Sequence, residues 1–209
     1  MKQKPIYSIS CTAFILITFL ASACATNIPV KSSMNDFVLM GLKTNRQVTV
    51  SYEVFSNIQD GKITVLREEG AGATGSVIIN ESAALKRMID DYMFARFSKI
   101  SDNSDIKIVI TLQSFIVRDW STESTGMVVL RAVVGSSAYS RMVSARIVAA
   151  IDVTQRGATE TKTIIANSEE TYIGEFTSPN GNKAFSDCVN SANNKLLMQL
   201  NAFFEDRKI

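Results

Sequence analysis

The 209-residue chain contains no histidine, and that absence excludes more than any other single feature. Histidine is the ordinary general base near neutral pH, the commonest zinc ligand and the usual proton shuttle. Without it, Ser-His-Asp and Cys-His catalysis and the HExxH zinc motif are all ruled out. Carboxylate or lysine chemistry stays open in principle, but nothing in the sequence asks for it. The chain is read as non-enzymatic, with no catalytic residues, cofactor or metal. Cysteine is scarce too, at three residues, Cys11, Cys24 and Cys188, and Trp120 is the single tryptophan. Excess charge is missing as well: the net +2 comes from Lys2 and Lys4, since 22 bases less these two leaves 20 against 20 acids. A basic surface for nucleic acid is therefore not indicated.

What is present begins with a leader. Residues 1–23 carry a positive start at Lys2 and Lys4, an apolar stretch from Thr12 to Leu20, and the small residues Ala21, Ser22 and Ala23, the three parts of a secretory signal. The apolar stretch is about half of the ~20 residues that a permanent membrane helix needs, so the segment reads as one that is removed. Leu20-Ala21-Ser22-Ala23-Cys24 resembles the lipobox of lipoprotein signal peptidase, with the leucine one place earlier than in the usual pattern. In that motif small side chains fit the peptidase, and the thiol takes a diacylglycerol before cleavage. The alternative is an ordinary secretory signal cut near Ala23 or Ala25, with Cys24 incidental. With Cys24 acylated and Cys11 lost, Cys188 is the only free thiol, an intramolecular disulfide is excluded, and Cys188 reads as a small core residue. Lipoproteins resembling this one are sorted by the residue after the acylated cysteine, and an aspartate there favours the inner membrane in enterobacteria. Ala25 stands here, so the resemblance implies the outer membrane, facing the periplasm.

Residues 24–35 form a lipidated N-terminus and a short polar tether, and residues 36–209 are read as one periplasmic domain. Apolar residues make up 46% of the chain, enough for a folded core. Residues 37–42 suggest a first buried strand, and Gln47 to Phe55 alternates with Val48, Val50, Tyr52 and Val54 on one face. Asp60-Gly61 is a tight-turn signal that predicts a hairpin with a strand over residues 62–66. Val77 to Ile79 is a brief apolar piece. Leu85, Met88, Ile89, Tyr92, Met93 and Phe97 recur at helical spacing, predicting an amphipathic helix over residues 82–97. Ile106, Ile108, Ile110 and Leu112 predict a strand. Val143 to Thr154 predicts another, turning at Arg156-Gly157 into a partner over residues 160–172. Pro179-Asn180-Gly181 is expected to end that hairpin, and Ala184, Phe185, Cys188, Val189, Ala192, Leu196, Leu200 and Phe203 mark a last helix. The fold class is α+β, with two amphipathic helices packed on one face of a mostly antiparallel sheet.

Few residues in the domain invite chemistry. Gly70, Gly72 and Gly75 fit GxGxxG, but the strand-turn-helix context required for a dinucleotide is broken by an extended piece over residues 76–80. The acidic pairs Glu68-Glu69, Asp90-Asp91 and Glu169-Glu170 point apart on a strand or a helix and read as solvated faces. Trp120 is either an interface anchor or core or sheet-edge packing. The segment from Ser121 to Arg141 is strongly apolar between Gly126 and Gly135, is too short to span a membrane, and is interrupted by Arg131. It reads as a partner-docking arm, an extra strand pair or a membrane-surface loop, with local burial as the alternative. Trp120, Met127, Val128, Leu130, Arg131 and Val133 are the candidate partner contacts, beside Cys24 as the candidate lipidation site.

The runs Asp105–Asp119, Ala145–Gly157 and Ala184–Leu200 stand in an order and spacing similar to those of the YajG-type small lipoproteins of Gram-negative envelopes. The resemblance covers about half the chain and implies an outer-membrane lipoprotein, with no catalytic residues to carry over. The segment 121–141 is longer than that family leads one to expect. The reading that follows is a lipid-anchored envelope lipoprotein, an accessory or assembly factor that binds a protein partner. The alternative is a periplasmic carrier holding a lipid or small apolar ligand between helix and sheet, for which Met88, Met93 and Met198 would supply adaptable side chains.

Overall fold

Alternation of buried and more exposed residues along long strands builds the centre of the molecule. The computed structural model describes residues 26–27, 46–58, 63–67, 77–79, 82–121, 140–174 and 178–209. In chain order the elements are β1 (Thr26–Asn27), β2 (Arg46–Ser56), β3 (Ile63–Arg67), β4 (Val77–Ile79), α1 (Ser82–Arg96), β5 (Phe97–Ile100), β6 (Ile106–Ser121), β7 (Ser140–Gln155), β8 (Ala158–Ile173) and α2 (Pro179–Asp206). The strand expected over residues 37–42 lies outside the described residues.

The long strands β6, β7 and β8 pair antiparallel along their whole lengths. Every second residue of β7 from Val143 to Val153 is buried, as its alternation predicts. The turn into β8 takes two residues, Arg156 at φ 51° and Gly157 at φ 80°, the left-handed pair that suits a tight hairpin between twisted strands. In β6 the register slips between Leu112 and Ser114, a bulge that leaves Gln113 without an opposite residue. The inward set therefore changes parity, from Ile106, Ile108, Ile110 and Leu112 to Phe115, Val117 and Asp119.

The expected hairpin between the strands flanking Asp60-Gly61 does not form. β7 covers one edge of β6 from end to end, so β2 and β3 must share the other. β2 runs parallel to residues 107–112 of β6, and β3 runs parallel to residues 117–119. The chain thus continues in one direction along a single edge, where a hairpin would reverse it, and β3 finds its antiparallel partner in β4. A local turn signal cannot compete with the long edge that β6 offers. Asp60 and Gly61 themselves lie outside the described residues.

Both predicted helices are present. α1 buries Leu85, Met88, Ile89, Tyr92 and Met93, the stripe read from the sequence. α2 begins earlier than expected: Pro179-Asn180-Gly181 is its first turn and does not close the preceding hairpin. Ser178 is the N-cap, its hydroxyl accepting from the Gly181 amide at 3.1 Å, and proline is tolerated at the first helical position because no partner awaits its missing N–H. α2 lies against β7 and β8, while α1 touches β2 and β5. The helices meet where Tyr92 stacks on Phe204, with ring centroids 6.4 Å apart. Beside them Arg96, 2% exposed, donates to Asn201 and to the Ile209 carbonyl oxygen at 2.6 Å, and pairs with Glu205 at 3.0 Å. This polar clasp ties the end of α1 to the end of the chain.

Candidate functional site

The parity change in β6 turns Asp119 inward, although the alternation of Ile106 to Leu112 extended along the strand would face it to solvent. Its side chain is fully buried, and a lone buried carboxylate would be very costly. Two neighbours satisfy it. Arg141, at the start of β7, donates from Nε to Oδ1 at 3.1 Å and from Nη2 to Oδ2, a forked, charge-assisted pair. The Tyr172 hydroxyl, near the end of β8, donates to Oδ1 at 2.9 Å. Burial, and then the Asp119 carboxylate beside it, pushes the Tyr172 hydroxyl well above the ordinary phenol range.

This clasp joins the ends of three strands at the root of the segment that connects β6 to β7. Ser121 pairs with Arg141 in the last rung, so both ends of that connection are held at a defined place. Trp120 is half-buried, opposite Met142 in the ladder, and the bulge sends it to the face opposite that of Asp119. Of the candidate partner contacts only Trp120 is described. Met127, Val128, Leu130, Arg131 and Val133 lie outside the described residues, as do Cys24, Gly70, Gly72, Gly75, Glu68 and Glu69. Asp119, Arg141 and Tyr172 were not among the candidates. The one signal that could have found them is an acid and an arginine flanking the apolar segment at the ends of two predicted strands.

Trp120's face also carries a cavity of about 310 Å³, lined by Ile116, Arg118, Ser144, Arg146, Asn167 and Glu169 among others. These residues form two neighbouring rungs, Ile116 with Arg146 and Asn167, and Arg118 with Ser144 and Glu169. Two guanidinium groups and one carboxylate give it mixed charge. Phe55, Ile165 and Ile173 are exposed, at 50%, 41% and 62%.

Cys188 is fully buried, its thiol 3.5 Å from the Val143 carbonyl oxygen and 3.4 Å from that of Ser168. Burial pushes the thiol up to about 11, which removes nucleophilic character near neutral pH. Asp90 is half-buried and Asp91 exposed. Burial, and then the Asp90 carboxylate, raises the Tyr52 hydroxyl to about 12. Met88 and Met93 are core residues, whereas Met198 is 61% exposed, so these three methionines do not converge on one space. Among the described residues no helix is long and apolar enough to cross a membrane.

No family model matches the chain, and no curated protein matches it in sequence. Solved structures similar to it include XCC0632 from Xanthomonas campestris, of family DUF330, at 14% identity and a TM-score of 0.39, covering 88% of this chain and 99% of that one. Another is the rare lipoprotein B from Shewanella oneidensis, at 12% identity and a TM-score of 0.44, covering 77% of this chain and 99% of that one. At these scores the likeness is a loose one of arrangement and identifies no family. Neither structure is described as YajG-type.

Proposed function

We propose that the chain is a lipid-anchored lipoprotein of the bacterial envelope, non-enzymatic, whose α+β domain binds a protein partner from the periplasmic side of the outer membrane. The observation that carries the reading is Cys24, placed directly after Ala21-Ser22-Ala23 at the end of a leader. The composition supports it, since a chain without histidine lacks the commonest catalytic base and metal ligand. So does the architecture at the root of the segment 122–139, where Asp119, Arg141 and Tyr172 spend a buried ion pair on holding a connection in place. The reading takes both helices to cover one face of the sheet. Phe94 of α1 touches Tyr52 and the Cys188 thiol of α2 approaches Val143, on the side where Val50, Ile108 and Ile151 are buried. The other face, with Trp120 and the cavity, is then left for contact. The carrier alternative is disfavoured because Phe185, Cys188, Val189 and Leu196 fill the space between α2 and the sheet.

A diacylglycerol thioether with a further acyl chain on the Cys24 amine would hold the protein firmly, at about 0.8 kcal/mol per buried methylene, where one chain binds only marginally. Metabolic labelling with a palmitate analogue tests this: wild type and Cys11→Ser should take up label and stay with membranes after a salt wash, and Cys24→Ser should not. Label persisting in Cys24→Ser, or unlabelled wild type in the soluble periplasm, would overturn the anchor. Crosslinking in gently solubilised membranes tests the partner. A specific crosslinked protein that disappears when residues 122–139 are deleted is expected, and no difference between the two chains counts against the docking role.

A further inference from the structure

The last strand of the sheet is long and one-sided. Among the described residues, β8 pairs with β7 alone, and long open edges are templates for pairing with another chain. Which backbone groups face outward follows from the turn. A two-residue hairpin makes its flanking residues, Gln155 and Ala158, a hydrogen-bonded pair, and pairs then alternate between bonded and non-bonded. The register continues without a shift to Ser140 and Ile173, so the odd-numbered residues of β8 occupy the non-bonded pairs. Their own N–H and C=O groups point away from β7. Side chains stand closest at such pairs, and there Thr154 meets Thr159 at 2.8 Å and Asp152 accepts from Thr161.

Two of these outward carbonyls are already occupied. The Lys195 ammonium donates to the Asn167 carbonyl oxygen at 2.9 Å, and the Gln199 amide donates to that of Ile165 at 3.1 Å. The donors are four residues apart on α2, a rise of about 6 Å, and the acceptors are two residues apart on β8, about 6.8 Å, so helix and strand stay in step. Further along, Arg207 lies over the Phe203 ring and pairs with Glu160.

We propose that Lys195 and Gln199 guard this edge against a second copy of the same chain. A strand pairing antiparallel with its own copy across a twofold axis is self-complementary, and overlap is greatest when the axis passes through the middle of the strand. For β8, residues 158 to 173, the registers nearest that middle that set outward-facing odd residues opposite one another place the axis at Ile165 or at Ala166, and either one uses the carbonyls of Ile165 and Asn167. The two carbonyls that α2 occupies are those that the most extensive self-pairing would need. The exposed side chain of Ile165 would gain cover in such a pair, which adds to the hazard that the two donors restrain.

The test compares three full-length chains in density-matched detergent by sedimentation equilibrium and amide hydrogen exchange. Lys195→Met/Gln199→Met keeps the apolar stems and removes the donors, while Lys195→Arg/Gln199→Arg keeps donors at both positions. In the methionine variant the weight-average protein mass should climb toward twice that of wild type with rising concentration. The outward amides of Thr163, Ile165, Asn167 and Glu169 should become protected roughly tenfold over the same range. Wild type and the arginine variant should show neither change. If the double methionine variant fails to fold, Gln199→Met alone should show the same concentration dependence in weaker form. The proposal is overturned if the folded methionine variants sediment and exchange as wild type does, if the arginine variant associates equally, or if wild type already protects those amides by association.

Discussion

Replacing Arg141 by methionine should be among the most damaging single changes outside the apolar core. The substitution keeps much of the stem but takes the forked donor from Asp119, whose side chain is 0% exposed, and leaves it only the Tyr172 hydroxyl. Breaking a buried ion pair by removing one partner costs about 3–5 kcal/mol, because the other charge stays buried without compensation. A domain of this size has about 5–15 kcal/mol in total, so the loss takes a large share. With a urea slope of about 2 kcal/mol per molar, the midpoint should fall by roughly 1.5–2.5 M. Asp119→Leu should cost less, since the Arg141 side chain is 12% exposed and its charge can reach water. Asp119→Leu/Arg141→Met removes both charges and should recover most of the loss. Trp120 neighbours Asp119, so its fluorescence reports unfolding at the site while far-UV circular dichroism reports it globally. A midpoint for Arg141→Met within about 0.3 M of wild type, equivalent to roughly 0.6 kcal/mol at that slope, would refute the reasoning. So would a double variant no more stable than Arg141→Met.

Stability should also fall in alkali. Folded Tyr52, Tyr92 and Tyr172 hold their protons above the ordinary tyrosine value of 10.0, chiefly through burial. The unfolded chain releases protons first, so this stability is complete below about pH 10 and is lost as pH rises beyond it. Urea midpoints that stay level between about pH 9 and 11.5, a range that brackets the ordinary phenol value, would contradict this, and Tyr172→Phe should flatten the slope. Cys188, with its thiol at about 11, should be roughly one part in a thousand thiolate at pH 8 and resist a disulfide reagent until urea unfolds the chain. Rapid stoichiometric labelling of the native protein would show the burial to be wrong. Gly157→Ala should cost about 1–2 kcal/mol from its φ of 80° alone, because an added Cβ meets nothing within 4 Å. A larger loss of thermal stability would point to a contact that the turn does not show.

Elements whose partners are near in sequence were legible from residue order. The β7–β8 hairpin needs only alternation on both sides of Arg156-Gly157, and α1 needs only the spacing from Leu85 to Met93, because each periodicity is a local property of the backbone. The core role of Cys188 followed from the apolar residues that share its helix face. Two local signals misled. Asp60-Gly61 specified a turn but not which edge the next strand would take, and Pro179-Asn180-Gly181 suits either a turn or a helix start.

Sequence by itself determined the exclusion of histidine chemistry, the α+β class and the principal elements, all properties of composition or of short repeating spacing. Tertiary structure alone decided that β2 and β3 share one edge of β6, and that α2 reaches over β8 at Asn167 and Ile165. It also decided that one unpaired residue in β6 turns Asp119 inward to Arg141 and Tyr172 and sends Trp120 to the opposite face. The physical reason is that a one-residue slip inverts every later side chain in a strand. Whether a strand slips depends on how it registers with a partner dozens of residues away, which no window of neighbouring residues contains.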